Sequence, residues 1–238
     1  MPTPLSNQFP AHRTRLLITA GPTHEPIDAV RYIGNRSSGR LGIALADHAA
    51  ANGWEVKLLL GPTGLTPADS RVVLERFRTT AELQSILGSE FPRFDALIMA
   101  AAVADYRPIM APAASATKLK RDAAGLKIEL EATPDLLAGV AAAKRPGQVV
   151  VGFALEPEDR LLESARSKLI RKGLDLIVAN PLGTMESENI HATMIWAGDR
   201  GSRPLAPMPK QEFARVLIEE LAVMVRPHGY PTTHVGNQ

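Results

Sequence analysis

The chain contains no cysteine, which excludes disulfides, thiolate metal ligands and a cysteine nucleophile. It has no apolar run near the roughly 18–20 residues that span a bilayer, and its first residues lack the apolar core of a signal peptide. The chain also has no large excess of charge of one sign, because it contains 27 basic and 25 acidic residues and its net charge is +2. We therefore predict a cytoplasmic protein that binds neither membranes nor nucleic acid.

Several common catalytic motifs are missing as well. The first apolar segment is followed by Gly21-Pro22-Thr23, not by the G-x-G-x-x-G of dinucleotide sites. A short-chain dehydrogenase needs Tyr-x-x-x-Lys, but the residues at that distance from the three tyrosines are Arg36, Met110 and His234. The six histidines have no metal-binding spacing, and no G-x-S-x-G elbow follows a strand. These absences weaken the oxidoreductase, zinc-site and hydrolase interpretations and leave any metal ligands unassigned.

Continuous apolar segments alternate with amphipathic ones along most of the chain. Such segments are typical of strands that are buried on both faces of a parallel sheet. The predicted strands are Arg15–Ala20, Glu55–Leu60, Val72–Phe77, Ala96–Ala101, Val149–Leu155 and Asp175–Asn180. The alternation predicts an α/β fold, a Rossmann-like, doubly wound, mostly parallel sheet with helices on both faces and ligands at the carboxyl ends of the strands. We assign residues 14–226 to a single domain, and residues 1–13 and 227–238 to flexible tails.

Between and after these strands the local signals are shorter. Ser37 or Ser38 is predicted to cap the helix that ends at Asn52-Gly53. The long irregular segment after Ala102 is typical of a functional loop or flap. The remaining local predictions are a strand at Leu126–Leu130, a helix from Pro134 to Ala143, a helix from Pro157 to Lys172 and an edge strand at Thr193–Ala197.

The turn after the first strand is the strongest candidate for a binding site. A strand, a loop of small residues and a helix N-terminus together favour a phosphate, because backbone N–H groups and the helix dipole point at it. A connection without a ligand is the alternative, although the turn is longer and more polar than a connection requires. Asn35, just before the helix, either donates to a carbonyl or oxyanion or merely caps the helix.

Three further groups of polar residues have both a functional and a structural interpretation. Asp105 follows a buried strand, where it could hold a ribose, a base or a metal, or could simply pair with Arg107. Lys168 and Lys172, four apart on one helix, either converge on a triphosphate or form a solvated face. A basic cluster in the irregular segment either closes over an anion or is solvated, and consists of Lys118, Lys120 and Arg121.

Taken together, these motifs strongly resemble the phosphopantothenoylcysteine synthetase family of coenzyme A biosynthesis. The run ITAGPTHEPIDAVRYIGNRSSGRLGIALA resembles the family signature almost residue for residue. LLGPTGL, AAVADYRP, KLKR, ATPDLL and VGFALE resemble further family segments, so that the similarity extends from about Ile18 to Asn189. Departures are Gly34, where the family usually has serine, and Thr133, where it usually has asparagine. The link from Asp105 to Lys118 also looks longer than in typical bacterial members.

The resemblance implies a ligase that joins 4′-phosphopantothenate to L-cysteine. The substrate carboxylate attacks the α-phosphate of a nucleotide, and the cysteine amine then displaces the nucleotide from the acyl-nucleotide intermediate. Bacterial members of the family use CTP and eukaryotic members ATP; the resemblance favours CTP as co-substrate here and leaves ATP open. It also implies a divalent ion such as Mg²⁺ or Mn²⁺, and a homodimer whose subunits exchange the basic flap. The flavin-dependent decarboxylase that precedes the synthetase in many bacteria is not expected in the few residues before Arg15.

The resemblance also implies roles for individual positions. Asn35 and Lys118 would be catalytic. The residues implied to bind the nucleotide are Met99, Ala100, Ala101, Asp105, Lys118, Pro134, Asp135, Phe153, Lys168 and Lys172. Those implied to bind the substrate or its phosphate are Gly21, Thr23, Arg31, Ser37, Ser38 and Gly39. The alternatives left open are an NAD(P)-dependent reductase and a non-catalytic nucleotide-binding module on the same fold.

Overall fold

The computed structural model describes residues 13–109, 117–120, 125–184 and 187–225. The strands are β1 (Arg15–Ala20), β2 (His24–Pro26), β3 (Tyr32–Gly34), β4 (Glu55–Leu60), β5 (Val73–Arg76), β6 (Ala96–Met99), β7 (Tyr106–Pro108), β8 (Leu130–Ala132), β9 (Val149–Glu156), β10 (Leu176–Pro181), β11 (Asn189–Ile190), β12 (Thr193–Trp196), β13 (Ser202–Pro204) and β14 (Met208–Pro209). The helices are α1 (Arg40–Ala51), α2 (Thr80–Glu90), α3 (Leu136–Ala142), α4 (Leu161–Lys172) and α5 (Lys210–Met224). Apart from Arg13, the predicted tails lie outside the described residues, as does Arg121 of the basic cluster.

An eight-stranded sheet forms the centre of the fold, in the order β13-β12-β10-β9-β6-β1-β4-β5. The six strands from β10 to β5 run parallel. Strand β12 pairs antiparallel with β10, and β13 pairs antiparallel with β12. The strand order therefore reverses between β1 and β6, which is the switch point of a doubly wound sheet. The predicted fold class is confirmed, whereas the limits of a single domain at residues 14–226 stay a prediction.

Strand β1 shows why the sheet is covered on both faces. Leu16 and Ile18 point into an apolar cluster with α1 and α5, while Leu17, between them, points into a second cluster with α2, α3 and α4. All three side chains are fully buried. Because successive side chains alternate between the faces, a strand with both faces covered must be apolar at every position. No helix among the described residues has the length and apolar character needed to cross a membrane.

Four local predictions are wrong. Neither serine caps α1, because its N-cap is Gly39, with φ 73°, and no side chain makes the capping hydrogen bond. The strand expected at Leu126–Leu130 lies instead at Leu130–Ala132, where β7 pairs with it. Asp135, not Pro134, begins the next helix, because its Oδ1 accepts from the N–H of Ala138 at 3.1 Å. Finally, β12 is not an edge strand, since β13 pairs with its outer side.

Two departures come from short elements. The helix expected from Pro157 begins as a single 3₁₀ turn, Glu158–Arg160, before α4. The turn after β1 contains a hairpin, β2–β3, in which the rings of His24 and Tyr32 stack with centroids 3.6 Å apart. A three-residue strand has too few residues to show an alternating pattern, so neither strand of the hairpin could be predicted from periodicity.

Helix α1 packs against β1 so closely that only glycine fits at one position. A Cβ added to Gly42 would lie 2.3 Å from the Cβ of Ala20. Such a distance requires the helix or the strand to move, because interiors have few voids to absorb an extra methyl group.

We predict that Gly42→Ala lowers the free energy of unfolding by about 1–3 kcal/mol, the usual cost of overpacking. The matched control is Gly88→Ala in α2, where an added Cβ meets nothing within 4 Å. That substitution should raise stability by about 0.5–1 kcal/mol, since alanine favours helix over glycine. Urea denaturation of both variants checks this, and equal shifts of the same sign would contradict the close packing.

Candidate active site

Two clefts meet at the carboxyl ends of β1, β6 and β9, beside the switch point. The first, the Asp105 cleft, has a volume of about 550 Å³. The second, the Ser38 cleft, has a volume of about 260 Å³ and lies at the N-terminus of α1. The clefts share Arg36, Ala101, Ala102, Phe153 and Leu155. The structure therefore brings the turn after β1 next to the loop after β6, as the strand order requires.

The residues of the Asp105 cleft include most of those predicted to bind a nucleotide. From that set it contains Met99, Ala101, Asp105, Pro134, Asp135, Phe153 and Lys172, and it also contains Asn35. Ala100 lines the Ser38 cleft instead. Lys118 and Lys168 line neither cleft.

The loop from Ala101 to Asp105 is fixed at three points. The Asn35 side-chain amide donates to the carbonyl of Val103 at 2.9 Å. The hydroxyl of Thr23 accepts from the N–H of Ala104 at 2.9 Å, and the hydroxyl of Thr133 donates to the carbonyl of Ala104 at 2.5 Å. A loop held from three separate segments has little freedom, so the position of Asp105 is set before any ligand arrives.

Asn35 does not cap the helix, which removes one of its two interpretations. One of its two amide hydrogens is donated to the carbonyl of Val103, and the second is available to a ligand. The Asp105 alternative is also decided, because Arg107 pairs with Glu131 across the β7–β8 hairpin at 2.8 Å. Among the described residues the Asp105 carboxylate has no hydrogen bond or ion pair.

The two lysines of α4 are each paired with a carboxylate. Lys172 contacts Asp135, with Nζ 2.9 Å from Oδ2, and Lys168 contacts Glu156. The Lys168 hydrogen bond lowers the pKa of Glu156, outweighing its burial. Burial would raise the pKa of Asp135, but hydrogen bonds from Lys172 and the Ala138 N–H outweigh it and lower the pKa. Both lysine amines therefore lie at the carboxyl end of the sheet, each paired with a carboxylate. A bound anion would have to replace Glu156 as the partner of Lys168, or Asp135 as the partner of Lys172.

The Ser38 cleft is positively charged. It contains Ser37, Ser38 and Gly39 at the start of α1, together with Arg36, Arg40 and Lys210, and no Asp or Glu lines it. None of these three cations has an ion-pair partner among the described residues. Burial lowers the pKa of the Lys210 amine, and the charge of Arg40 lowers it further. A helix N-terminus and three unpaired cations around one small cleft favour an anionic group.

Asn180 and Lys210 belong to this cleft and were not predicted. Asn180 ends the buried part of β10 and is only 8% exposed, and its Oδ1 has no hydrogen-bond partner among the described residues. A buried polar atom without a partner is costly, so it needs a functional explanation. A polar residue at the carboxyl end of an apolar strand was a usable signal, the same one that identified Asp105. Lys210 follows a coil segment and gave no such signal.

Three predicted substrate-binding residues lie outside both clefts. Gly21 has φ 76°, and its carbonyl accepts from Ala102. Thr23 is fully buried, with its hydroxyl on Ala104. Arg31 binds Asp28 and the carbonyl of Leu119. Their roles in substrate binding stay predictions. In the structure, the three residues form hydrogen bonds with the loops around the site.

Asp28 and Arg31, together with Thr117–Leu119, form what we call the Asp28 junction. The Asp28 side chain is fully buried. Burial would raise the pKa of its carboxyl group, but three backbone N–H groups and the Arg31 guanidinium outweigh burial and hold the pKa at about 2. The junction therefore contains a permanently charged carboxylate at any pH near neutrality.

The described residues contain no group of three or more His, Cys, Asp or Glu side chains arranged to hold a metal ion. Two carboxylates, Asp105 and Asp135, line the Asp105 cleft. The metal ligands therefore stay unassigned, and Mg²⁺ or Mn²⁺ stays a prediction.

Comparison with known proteins connects this geometry to a family. The family described as the DNA/pantothenate metabolism flavoprotein C-terminal domain matches residues 11–224. The chain belongs to this family. A cysteine/cysteine sulfinic acid decarboxylase from an unknown prokaryotic organism is 46% identical over 173 residues, covering 73% of the chain and 47% of that protein.

Two bifunctional relatives have the same kind of partial match. The coenzyme A biosynthesis bifunctional protein CoaBC of Mycobacterium tuberculosis is 42% identical, covering 76% of the chain and 45% of that protein. The CoaBC protein of Escherichia coli is 38% identical, covering 87% of the chain and 51% of that protein. The chain thus spans about half the length of the curated relatives it matches.

Two solved structures agree with the fold. A crystal structure of the C-terminal domain of CoaBC has a TM-score of 0.75 at 34% identity, covering 89% of the chain and 95% of that structure. A Cab2 variant in complex with phosphopantothenate-cysteine has a TM-score of 0.70 at 21% identity, covering 89% of the chain and 87% of that structure. At that identity, the second comparison supports the fold alone.

The pKa of Asp28 leads to a prediction about stability. Because the folded-state pKa, about 2, is below the ordinary value of 3.8, Asp28 stabilises the fold above about pH 4. That contribution should decrease as the pH falls from about 4 towards about 2. In Asp28→Asn the free energy of unfolding should be lower near neutrality and less dependent on pH in this range. Denaturation at a series of pH values measures both slopes, and parallel curves would contradict the assignment.

Proposed function

We propose that the chain is a ligase that joins 4′-phosphopantothenate to L-cysteine through an acyl-nucleotide intermediate, with CTP as the nucleotide. Membership of the family and the names of its CoaBC relatives support a role in coenzyme A biosynthesis. The observation that carries the proposal is the adjacency of two clefts, one positively charged and one containing Asp105, with Asn35 beside their shared wall. This arrangement suits a phosphorylated acid and a nucleotide that must react with each other.

The phosphate of the substrate fits the Ser38 cleft. The N–H groups at the start of α1 and the side chains of Arg36, Arg40 and Lys210 offer donors and positive charge to a dianion. The unpartnered Oδ1 of Asn180 would accept a hydrogen bond from a hydroxyl or amide N–H of the pantothenate part. A phosphate dianion could not be its partner, because it has no hydrogen to donate. A substrate bound in this way would extend its carboxylate towards the Asp105 cleft.

The nucleotide fits the Asp105 cleft. Asp105 can accept hydrogen bonds from a base amino group or a ribose hydroxyl, while Lys172 and, one turn away, Lys168 can bind phosphates in place of Asp135 and Glu156. The preference for CTP over ATP rests on the resemblance to bacterial synthetases. Backbone groups between Met99 and Ala101 are the candidates for reading the base.

The chemistry needs positioned donors but no protein nucleophile. In the first step a carboxylate oxygen of phosphopantothenate attacks the α-phosphorus, and pyrophosphate leaves. In the second step the amine of cysteine attacks the acyl carbonyl, loses a proton, and displaces CMP. Negative charge develops on the carbonyl oxygen in this step, and the second amide hydrogen of Asn35, the one not bonded to Val103, would stabilise it. The lack of cysteine in the chain agrees with a reaction that requires no protein nucleophile.

A divalent ion fits the same cleft. Mg²⁺ in proteins is usually held by one or two carboxylates together with substrate phosphates, and Asp105 and Asp135 are the carboxylates present. Bound there, Mg²⁺ or Mn²⁺ would neutralise phosphate charge. A dedicated cage of protein ligands is not needed for this role.

We further propose a cytoplasmic homodimer in which Lys118 reaches the partner's site. The two hairpins β2–β3 and β7–β8 contact each other. The hairpins and adjoining residues carry seven large, exposed apolar side chains, which are Val30, Tyr32, Tyr106, Ile109, Leu126, Ile128 and Leu130. An exposed apolar surface of this kind is typical of a protein–protein contact. Lys118 does not line the clefts of its own chain, which agrees with a role across such a contact.

The proposal predicts two separable products. Mixing the protein with CTP, Mg²⁺ and 4′-phosphopantothenate should release pyrophosphate, and adding cysteine should then release CMP. Asn35→Asp should still release pyrophosphate but slow the second step by about 10²–10³-fold, because a carboxylate cannot donate to the carbonyl oxygen. Parallel assays with ATP test the nucleotide preference.

The outcomes of these assays discriminate between the alternatives. No pyrophosphate with either nucleotide would overturn the ligase proposal. Binding of NADPH, followed by its fluorescence, would favour a reductase, and release of CO₂ from cysteine or phosphopantothenoylcysteine would favour a decarboxylase. A nucleotide-binding module would bind CTP without turnover, and Asn35→Asp would alter its affinity at most.

Asn180 provides a second prediction. Asn180→Ala should raise the KM for phosphopantothenate by about tenfold or more, because one hydrogen bond to a buried partner is lost. The KM for CTP should change little, since Asn180 lines only the Ser38 cleft. Steady-state kinetics with each substrate varied in turn makes this measurement, and equal changes in both KM values would argue against the assigned cleft.

A further inference from the structure

Asp28 makes more contacts than the local turn requires. Its Oδ1 accepts from the N–H groups of Val30 at 2.8 Å and Arg31 at 2.7 Å, which closes the turn between β2 and β3. Its Oδ2 accepts from the Arg31 side chain at 2.9 Å and from the N–H of Leu119 at 3.2 Å. The first two contacts are local, but Leu119 lies 91 residues further along the chain. Turn formation therefore explains Oδ1 and leaves Oδ2 unexplained.

Arg31 completes the attachment of Leu119. Its guanidinium donates to the carbonyl of Leu119 at 2.8 Å, so both backbone polar groups of this residue are bound by one ion pair. The N–H of Ala29 also donates, at 3.4 Å, to the carbonyl of Thr117. The main chain is thus attached on both sides of Lys118. Charge-assisted hydrogen bonds of this type are among the strongest that a loop can receive.

The side chain between these attachments is free. Lys118 is exposed, and among the described residues its amine has neither a hydrogen-bond nor an ion-pair partner. An attached main chain with an unattached amine is the arrangement expected of a group that must be presented to something else. Burying a carboxylate costs free energy. A lysine that serves only as a solvent-exposed surface residue would not need its neighbours to be held by such a group.

The same hairpin also carries Asn35. Arg31 precedes β3 and Asn35 follows it, so the two are separated by the three residues of this strand. At about 3.3 Å per residue, their Cα atoms are at most about 13 Å apart. Strand β3 is held in the hairpin by its pairing with β2 and by the stacked rings of His24 and Tyr32. One small rigid unit therefore holds Asn35 at one end and the main chain of Lys118 at the other.

We propose that Asp28, acting through Arg31 and the backbone of Leu119, is a positioning residue that fixes where Lys118 presents its amine. Its place in catalysis rests on the proposed function, but the attachment of Thr117–Lys120 does not. Asp28 lines neither the Asp105 cleft nor the Ser38 cleft, and its contacts among the described residues are with Val30, Arg31 and Leu119. The geometry also gives Arg31 its task, which is to bind the loop rather than the substrate.

The attachment is tested by hydrogen exchange on the full chain, with no substrate present. In Asp28→Asn the new amide group places a donor against the Leu119 N–H or the Arg31 side chain, with little change in shape. We expect the Leu119 amide to exchange at least about tenfold faster, and trypsin to cleave after Lys118 and Lys120 correspondingly faster. Arg31→Lys keeps the charge next to Asp28 but weakens the bond to Leu119, and should give a smaller increase.

The matched control is Asp69→Asn. Asp69 also pairs with a nearby arginine, Arg71, and its pKa is likewise held at about 2 by the side-chain and backbone hydrogen bonds of Arg71. It lies on another loop, so its substitution should leave exchange at residues 117–120 unchanged. Unchanged exchange at these residues in both Asp28→Asn and Arg31→Lys would overturn the proposal, whatever reaction the protein catalyses.

A double-mutant cycle tests whether the attachment serves Lys118. Asp28→Asn should lower kcat for pyrophosphate release by about tenfold with little change in the KM for phosphopantothenate, since neither cleft is altered. In a Lys118→Ala background the same substitution should cost less than about twofold, because nothing remains to be positioned. Equal losses in the two backgrounds would show that Asp28 acts on stability alone and would overturn the positioning role. If no nucleotide gives pyrophosphate, the proposed function fails, and the exchange experiment still decides the attachment.

Discussion

The parallel pairing of β1 with β6 is the contact on which the rest of the site depends. It places the strand that starts one half of the sheet beside the strand that starts the other, so the loops after them leave in opposite directions. The crevice between those loops is where both clefts lie. Its walls continue the sheet, since Ala102 forms a bridge to Pro22 just beyond the last paired residues. The site is therefore anchored to the most buried part of the molecule.

The charges around this crevice differ in whether they are paired. In the Asp105 cleft, Lys172 has a carboxylate partner, and Lys168, one turn away, has one as well. In the Ser38 cleft the cations Arg36, Arg40 and Lys210 have none among the described residues. Exchanging a partner lowers the net gain from binding, whereas an unpaired cation gives its full interaction to the ligand. Under the proposed function, the phosphate of phosphopantothenate would therefore be held more firmly than the phosphates of the nucleotide.

The sequence was sufficient for elements whose signal is local and long. Strands β1 and β4 lie where the continuous apolar runs predicted them. Thr79 and Glu82 form a capping box at the start of α2, a pattern of residues that is local in the sequence. It was insufficient for elements of two or three residues, such as β2, β3 and β13, because so short a strand has no period to detect. Gly39 at the start of α1 was missed because serine is the more usual cap.

For the candidate site the division is similar. Position at the end of a buried strand identified Asp105, and could have identified Asn180, because the carboxyl end of a strand can be read from the sequence. The pairing of Lys172 with Asp135 and of Asp28 with Leu119 could not be read, since the partners are 37 and 91 residues apart. Family resemblance named Arg31 and Lys118, but only the three-dimensional contacts indicate that they belong to one junction.

The glycine at the start of α1 has a consequence for how the protein would respond to its substrate. No side chain makes the capping hydrogen bond of α1. The N–H of Arg40 donates to Ser38 Oγ at 3.4 Å, but the N–H groups of Leu41 and Gly42, which border the Ser38 cleft, have no partner among the described residues. Under the proposed function, the substrate phosphate itself becomes the cap, so the helix is completed by the molecule it binds. Recognition and folding are then coupled at this point, and the start of α1 becomes most ordered when the enzyme is loaded.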